Sequence, residues 1–274
     1  MATLGEFREF YNNNPSYFVK AGEGALQGML LPSHKAVHEY IKSLDGKRIC
    51  DFGCGAGNDI QLMCTPGNEY IGLDVSIGAL TEARARFSPK NVEYHQVDFD
   101  EPLPLSDASS DVVTSFFVFE HLLQPTRTLR EMMRILRPDG QLFLIAPNYG
   151  SPLKSAPPLG TPSKIKLVCK TFRTLKTMLR RILFPHASLD IRMIPIEKVD
   201  ISHSWGPDMD ATNEPWSWEI AAYLKAYGFH INAISTWEGQ LKTVPERLFS
   251  RIGFVPFIRQ VGPLCYIHAI KEVS

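Results

Sequence analysis

The sequence predicts an α/β domain with a parallel sheet and helices on both faces, on three observations. Between Arg48 and Pro147 short apolar runs alternate with amphipathic segments. The first run breaks at Gly53, Gly55 and Gly57 into a tight loop and a helix start. The candidate binding residues of this stretch then fall at the carboxyl ends of its strands, where open α/β sheets hold ligands. Strands are predicted at 49–53, 69–74, 92–97, 111–116 and 140–146, with helices at 57–64, 76–87 and 124–137. That rhythm requires right-handed crossovers and so a parallel sheet.

Length and composition set bounds. A chain of 274 residues suits one such domain with an appended cap. Hydrophobic content is 44%, and 29 basic residues balance 29 acidic ones, so nothing pulls the molecule towards nucleic acid. No apolar run approaches the roughly 20 residues that span a bilayer, and Met1–Phe7 lacks the apolar core of a signal peptide. The expectation is a cytoplasmic protein. Five cysteines, with no Cys-x-x-Cys pair, read as reduced and mostly apolar in role. Cys50 and Cys54 lack a second ligand pair, and no metal is expected.

The loop Asp51-Phe52-Gly53-Cys54-Gly55-Ala56-Gly57 narrows the ligand. A dinucleotide fingerprint would need its third glycine at position 58, which is Asn58. Asp51 stands where a pyrophosphate would lie, which disfavours phosphate and suits a ligand with an ammonium group. Asp74 ends the next strand about twenty residues on, the spacing at which a carboxylate reaches ribose hydroxyls. Together they describe a nucleoside carrying an amino-acid tail.

Here the residues resemble class I S-adenosylmethionine-dependent methyltransferases, in the large group whose first motif reads acidic-x-Gly-x-Gly-x-Gly. Gln96-Val97-Asp98-Phe99 is similar to the strand-3 motif, and Asp111–Phe116 followed by Glu120-His121-Leu122 to strand 4 and its shoulder. Leu129–Leu142 is similar to the helix and turn entering strand 5. The resemblance implies a Rossmann-like, seven-stranded mixed sheet, mostly parallel with an antiparallel final strand. It implies S-adenosylmethionine as cofactor, held by Asp51, Gly53, Gly55, Gly57, Asp74, Val75, Asp98, Phe99 and Phe116. Asp98 then meets the adenine amino group, the alternative being a plain surface acid, and Phe99 lies against the ring. His121 is the candidate base, the alternative being that Glu120 and His121 only shape the pocket. A fainter resemblance is to bacterial methyltransferases of polysaccharide and glycolipid pathways.

The flanking regions divide the chain into a helical segment at 1–47 and a methyltransferase domain at 48–274, with a helical cap inserted after strand 5 at 148–212. Residues 1–47 carry an aromatic cluster (Phe7, Phe10, Tyr11, Tyr17, Phe18) that either closes over the cofactor as a lid or packs on the domain edge. A helix follows over Ser33–Leu44 with Ser33 as N-cap. Within the cap, Lys164–Phe184 holds seven basic residues and no acid, with apolar positions stepping by three and four. It reads either as a helix packing its apolar face on the substrate opening or as one lying on an anionic membrane surface, and one helix can do both. His203–Thr212 reads as a substrate-facing turn rather than a metal loop. A helix at Trp216–Tyr227, a strand at 229–237, an amphipathic piece at Pro245–Gln260 and a strand at Leu264–Lys271 complete the chain.

The implied activity is methyl transfer to oxygen of a small-molecule acceptor, a sugar or lipid-linked glycan among the options. Alternatives are C- or N-methylation of a quinone, lipid or secondary metabolite, a non-catalytic S-adenosylmethionine binder, and a dehydrogenase. The expected partners are the small-molecule acceptor and, through 164–184, the inner membrane surface.

Overall fold

A computed structural model describes residues 3–14, 17–18, 31–160, 163–186, 188–202, 208–238, 250–251 and 258–273. Seven strands form one sheet: β1 (Arg48–Phe52), β2 (Glu69–Asp74), β3 (Val92–Gln96), β4 (Ser110–Phe116), β5 (Leu136–Pro147), β8 (Phe229–Ser235) and β9 (Leu264–Lys271). Their order is β3-β2-β1-β4-β5-β9-β8. Strands β1 to β5 pair in parallel, and β9 runs antiparallel to both its neighbours. The order reverses between β1 and β4, which opens a crevice above their carboxyl ends. A two-residue ribbon, β6 (Arg192–Met193) with β7 (Asn213–Glu214), lies in the insertion.

Helices α2 (Pro32–Lys42), α3 (Asn58–Met63) and α4 (Ile77–Arg86) cover one face, where Val37, Ile41, Ile60, Met63 and Leu80 pack on Ile49, Tyr70 and Phe143. Helices α5 (Pro125–Ile135) and α7 (Ser217–Ala226) cover the other, with Leu129, Met132 and Leu224 against Phe52, Leu142 and Ile267. A third cluster joins α1 (Leu4–Asn13) to the insertion through Phe7, Phe10, Tyr11, Tyr149, Ile194 and Val199. Helix α1 is closed by a reciprocal capping box between Thr3 and Glu6. The buried Cys50, Cys54 and Cys265 are free thiols, and burial pushes each one upward in pKa.

Most boundaries agree with expectation to within a residue or two. Helix α2 begins earlier than predicted because Pro32, with its preset φ, takes the first helical position. Ser33 is therefore inside the helix and not its cap, and its N–H donates to Glu238 Oε2 at 2.9 Å. Helix α5 stops at Ile135, and residues 136–140 join β5 through a register shift opposite Ser110 and Val112, with Asp139 at φ +60°. The turn expected at 203–207 and much of the amphipathic piece expected at 245–260 lie outside the described residues.

The larger correction concerns α6 (Lys164–Leu183). Its apolar stripe does not pack inward. Ile165 is 76% exposed and Phe172 69%, and Val168, Leu175, Leu179 and Ile182 also face outward. The buried side is polar: Lys170, Thr174, Thr177 and Arg181. The cause is the wall it meets, where Glu214 and Glu219 are buried and require cations. Lys170 Nζ reaches Glu214 Oε1 at 2.9 Å, Arg173 and Arg192 reach its other oxygen at 3.2 Å, and Arg181 pairs with Glu219.

This inverted packing has a stability consequence. Glu219→Ala, which removes the carboxylate that faces the buried Arg181, should cost about 3–5 kcal/mol. Phe172→Ser should stay within about 0.5 kcal/mol. Urea denaturation of the two variants measures both, and a large loss for Phe172→Ser alone would reverse the assignment of faces.

Candidate active site

The loop from β1 to α3 takes its shape from three glycines at positive φ: Gly53 (+79°), Gly55 (+52°) and Gly57 (+74°). Close approach adds to this at two of them. A Cβ on Gly53 would sit 2.2 Å from a Val118 methyl, and one on Gly57 would sit 2.7 Å from the Tyr94 hydroxyl. At Gly55 the neighbour is the Phe18 ring, 3.1 Å away.

Asp74, at the end of β2, fixes this loop. Its Oδ2 accepts the Gly55 N–H at 2.8 Å and its Oδ1 accepts the Ser76 N–H at 2.8 Å. Burial raises its pKa to about 6, although amides from Ser76, Gly55 and Val75 pull it down. Asp51, on β1, accepts from Thr114 Oγ1 at 2.7 Å through one oxygen, while its other oxygen is buried with no hydrogen-bond partner. Burial, then the charge of Asp59, holds this carboxyl well above its usual range. A buried, half-satisfied carboxylate beside a loop of close-approach glycines fits a ligand that brings a positive charge.

Helix α1 forms a roof beside this loop. Ser76 Oγ donates to the Tyr11 carbonyl at 2.9 Å, the Ile77 N–H donates to Asn12 Oδ1 at 3.0 Å, and Arg8 pairs with Asp100 at 2.8 Å. Beneath it is a cavity of about 440 Å³. Phe7, Arg8 and Tyr11 line it from above, and Val75, Asp98, Phe99 and His121 from the sheet side. Asp98 Oδ1 accepts the Asp100 N–H at 2.8 Å, and Phe99 stacks on Phe52 with centroids 3.9 Å apart. The structure thus brings Val75, Asp98, Phe99 and His121 together around one cavity. Asp51, Asp74 and the glycines form the adjoining loop. Phe116 lies elsewhere, with its ring 4.4 Å from that of His34.

His121 follows β4 in a short 3-10 turn (Phe119–His121), where Thr212 and Asn213 bond the turn's carbonyls. Its Nδ1 is 3.4 Å from Asp210 Oδ2, and its Nε2 is 3.8 Å from Glu120 Oε1. Burial lowers its pKa, but Asp210, Glu120 and Asp208 outweigh this and raise it to about 9. Glu120 is fully buried, both its carboxylate oxygens lack hydrogen bonds, and burial raises its pKa. Tyr11 donates to Asp210 Oδ2 at 2.8 Å, and Tyr149 donates to Asp208. The polar wall therefore draws on α1, β4 and the insertion. In the sequence the aromatic cluster and the Asp208–Asp210 turn stand apart, and nothing in their spacing joins them to His121. Arg8 and Tyr149 carry no local signal that would single them out.

Comparisons with known proteins bear on the domain and its fold. A family described as "Methyltransferase domain" matches residues 50–144. A Mycolicibacterium smegmatis protein named "Probable S-adenosylmethionine-dependent methyltransferase" is 30% identical over 143 residues, covering 50% of this chain and 54% of that protein. The ubiquinone biosynthesis O-methyltransferase of Aliivibrio fischeri is 29% identical over 154 residues, covering 53% and 66%. The chain thus matches between about half and two thirds of the length of these relatives. The crystal structure of an S-adenosylmethionine-dependent methyltransferase from Mesorhizobium loti superposes with a TM-score of 0.55 over 86% of this chain and 96% of that one. At 18% identity it attests the fold. Residues 50–144 thus match a methyltransferase domain, and over about half of its length the chain is similar to S-adenosylmethionine-dependent methyltransferases.

Proposed function

We propose that the protein is an enzyme that transfers a methyl group from S-adenosylmethionine to a hydroxyl oxygen of a small, lipid-linked acceptor at a membrane surface. The observation that carries the transferase reading is the pairing of the glycine loop with the roofed cavity beside it. When bound, S-adenosylmethionine supplies a methyl group on a positively charged sulfur, which passes to the nucleophile by in-line displacement. In this reading the unpartnered oxygen of Asp51 meets the ammonium group, and Asp74 holds the loop and reaches the ribose. Val75, Asp98 and Phe99 enclose the adenine, with Asp98 accepting from its amino group. Helix α1 serves as a lid that excludes water.

His121 is the proposed base. With its pKa raised to about 9 by Asp210 and Glu120, it is an imidazolium at neutral pH. Its carboxylate neighbours thus hold the proton until a ligand changes their balance. A C- or N-methylating alternative needs no such base, and the ubiquinone biosynthesis O-methyltransferases among the relatives favour oxygen.

The membrane-surface and lipid-linked parts rest on α6. Its outward apolar stripe, on a segment with seven basic residues and no acid, has the make-up of an interfacial helix at an anionic bilayer. None of the described helices is long and apolar enough to cross a membrane.

Three outcomes are expected. Calorimetric titration with S-adenosylhomocysteine should give micromolar binding that Asp51→Asn weakens at least tenfold and Asp74→Ala abolishes; a folded wild-type protein that binds nothing would remove the transferase reading. The His121 imidazole, followed by nitrogen-resolved NMR, should titrate near pH 9, and Asp210→Asn should shift its midpoint down by about a unit; a midpoint near 6.5 in the wild type would mean that the carboxylates do not hold its proton. The protein should co-sediment with phosphatidylglycerol vesicles and not with phosphatidylcholine vesicles, and a Phe172→Glu, Leu179→Glu double variant should stay in solution. Equal behaviour of wild type and variant would remove the membrane from the proposal.

A further inference from the structure

We infer that His34, His38 and Asp59 form a binding site for a divalent first-row transition cation, zinc being the ion that suits them best. This goes beyond the transferase reading and is independent of it. It also departs from the sequence-based expectation of no metal.

The two histidines stand four residues apart on α2, so their rings project from one face of the helix. Asp59 lies in the first turn of α3. His34 Nε2 is 2.7 Å and His38 Nε2 is 2.9 Å from the same oxygen, Asp59 Oδ1. The ring centroids are 4.6 Å apart, and the three ligand atoms lie within 4.8 Å of one another. The His34 and His38 side chains are 5% and 3% exposed, and that of Asp59 21%.

Proximity alone would suggest two hydrogen bonds to a carboxylate. At 2.7 and 2.9 Å both contacts are ion pairs when the histidines carry a proton, but their angles are poor for hydrogen bonds. Neither His34 Nε2, nor His38 Nε2, nor Asp59 Oδ1 has a hydrogen-bond partner with acceptable angles, although all three atoms are buried. Three buried ligand atoms that converge with poorly angled contacts recover only part of the about 1–3 kcal/mol of solvation that each gives up. A cation that accepts lone pairs from all three removes that cost. The spacing is right for it: bonds of about 2.0–2.1 Å from imidazole nitrogen and carboxylate oxygen separate neighbouring ligands by about 2.9–3.4 Å. Little movement is needed from the present positions.

The donor set selects the ion. Magnesium and calcium take oxygen ligands in greater number, whereas two neutral imidazoles with one carboxylate suit zinc, cobalt or iron. The site joins α2 to the helix that leaves the glycine loop, against Phe116 at the end of β4. A cation here braces that loop from behind. It shares no ligand with the Glu120, His121 and Asp208 cluster, the other group of suitable side chains among the described residues.

The test uses the full-length, untagged protein, stripped with chelator and dialysed against Zn²⁺ or Co²⁺. One ion per chain is expected, with Co²⁺ giving the visible d–d bands of a site with nitrogen ligands. His34→Ala and His38→Ala should each lose both signals, while His121→Ala keeps them. Because a core histidine variant can fail to fold, the wild type is also labelled with ¹⁵N-histidine. Two Nε2 resonances should then move on saturation with Zn²⁺. Absence of stoichiometric binding, retention of it in folded His34→Ala or His38→Ala, or a set of imidazole resonances unmoved by Zn²⁺ would each overturn the site.

Discussion

The carboxylate of Asp74 is the constraint on which the rest of the site depends. One oxygen holds the Gly55 amide of the loop after β1, and the other holds the Ser76 amide that opens α4. Ser76 caps α4 through its hydroxyl, which accepts from the Ala79 N–H at 3.2 Å, and the same hydroxyl donates to the Tyr11 carbonyl of the roof helix. One buried acid thus sets the loop, the helix start and, one residue removed, the position of α1. Burial of so many amide bonds around a carboxylate explains how a charged group is tolerated where 4% of the residue is exposed.

Charge is distributed unevenly in the crevice. Asp51, Asp74, Glu120 and Asp210 are buried on the ligand side. His121 is the cation placed among the last two, and Tyr11 and Tyr149 supply neutral donors to Asp210 and Asp208. The insertion solves the matching problem differently: its buried acids, Glu214 and Glu219, are answered by Lys170 and the arginines of α6 and β6. One region sets its acids against His121 and tyrosine hydroxyls, and the other answers its acids with lysine and arginine.

Much of the central sheet was legible in the sequence because its signals are local. A parallel strand buried on both faces reads as an apolar run, and a glycine at positive φ marks its loop. The boundaries moved only where a local feature competed, as Pro32 did at α2 and the bulge after Leu136 did at β5. The orientation of α6 was not legible. Its apolar periodicity is real, but whether a stripe faces in or out depends on the wall opposite, and Glu214 and Glu219 lie more than thirty residues further along the chain. Cavity residues from β2, β3 and the turn after β4 were found from motif position, whereas Arg8, Asp210 and Tyr149 reach the site only through the tertiary fold. The His34 and His38 pair carried a helical i, i+4 signal, yet its meaning appears only when α3 brings Asp59 alongside.

The links that hold the roof are individually weak. Arg8 is half exposed, so its pair with Asp100 contributes about 0–1 kcal/mol, and the remaining ties to α4 are single hydrogen bonds. Phe7, Phe10 and Tyr11, set edge to face against one another and packed on the insertion, hold α1 more firmly than its charges do. Any movement of α1 away from the sheet therefore has to part an oily joint with the insertion before it breaks the charge pair.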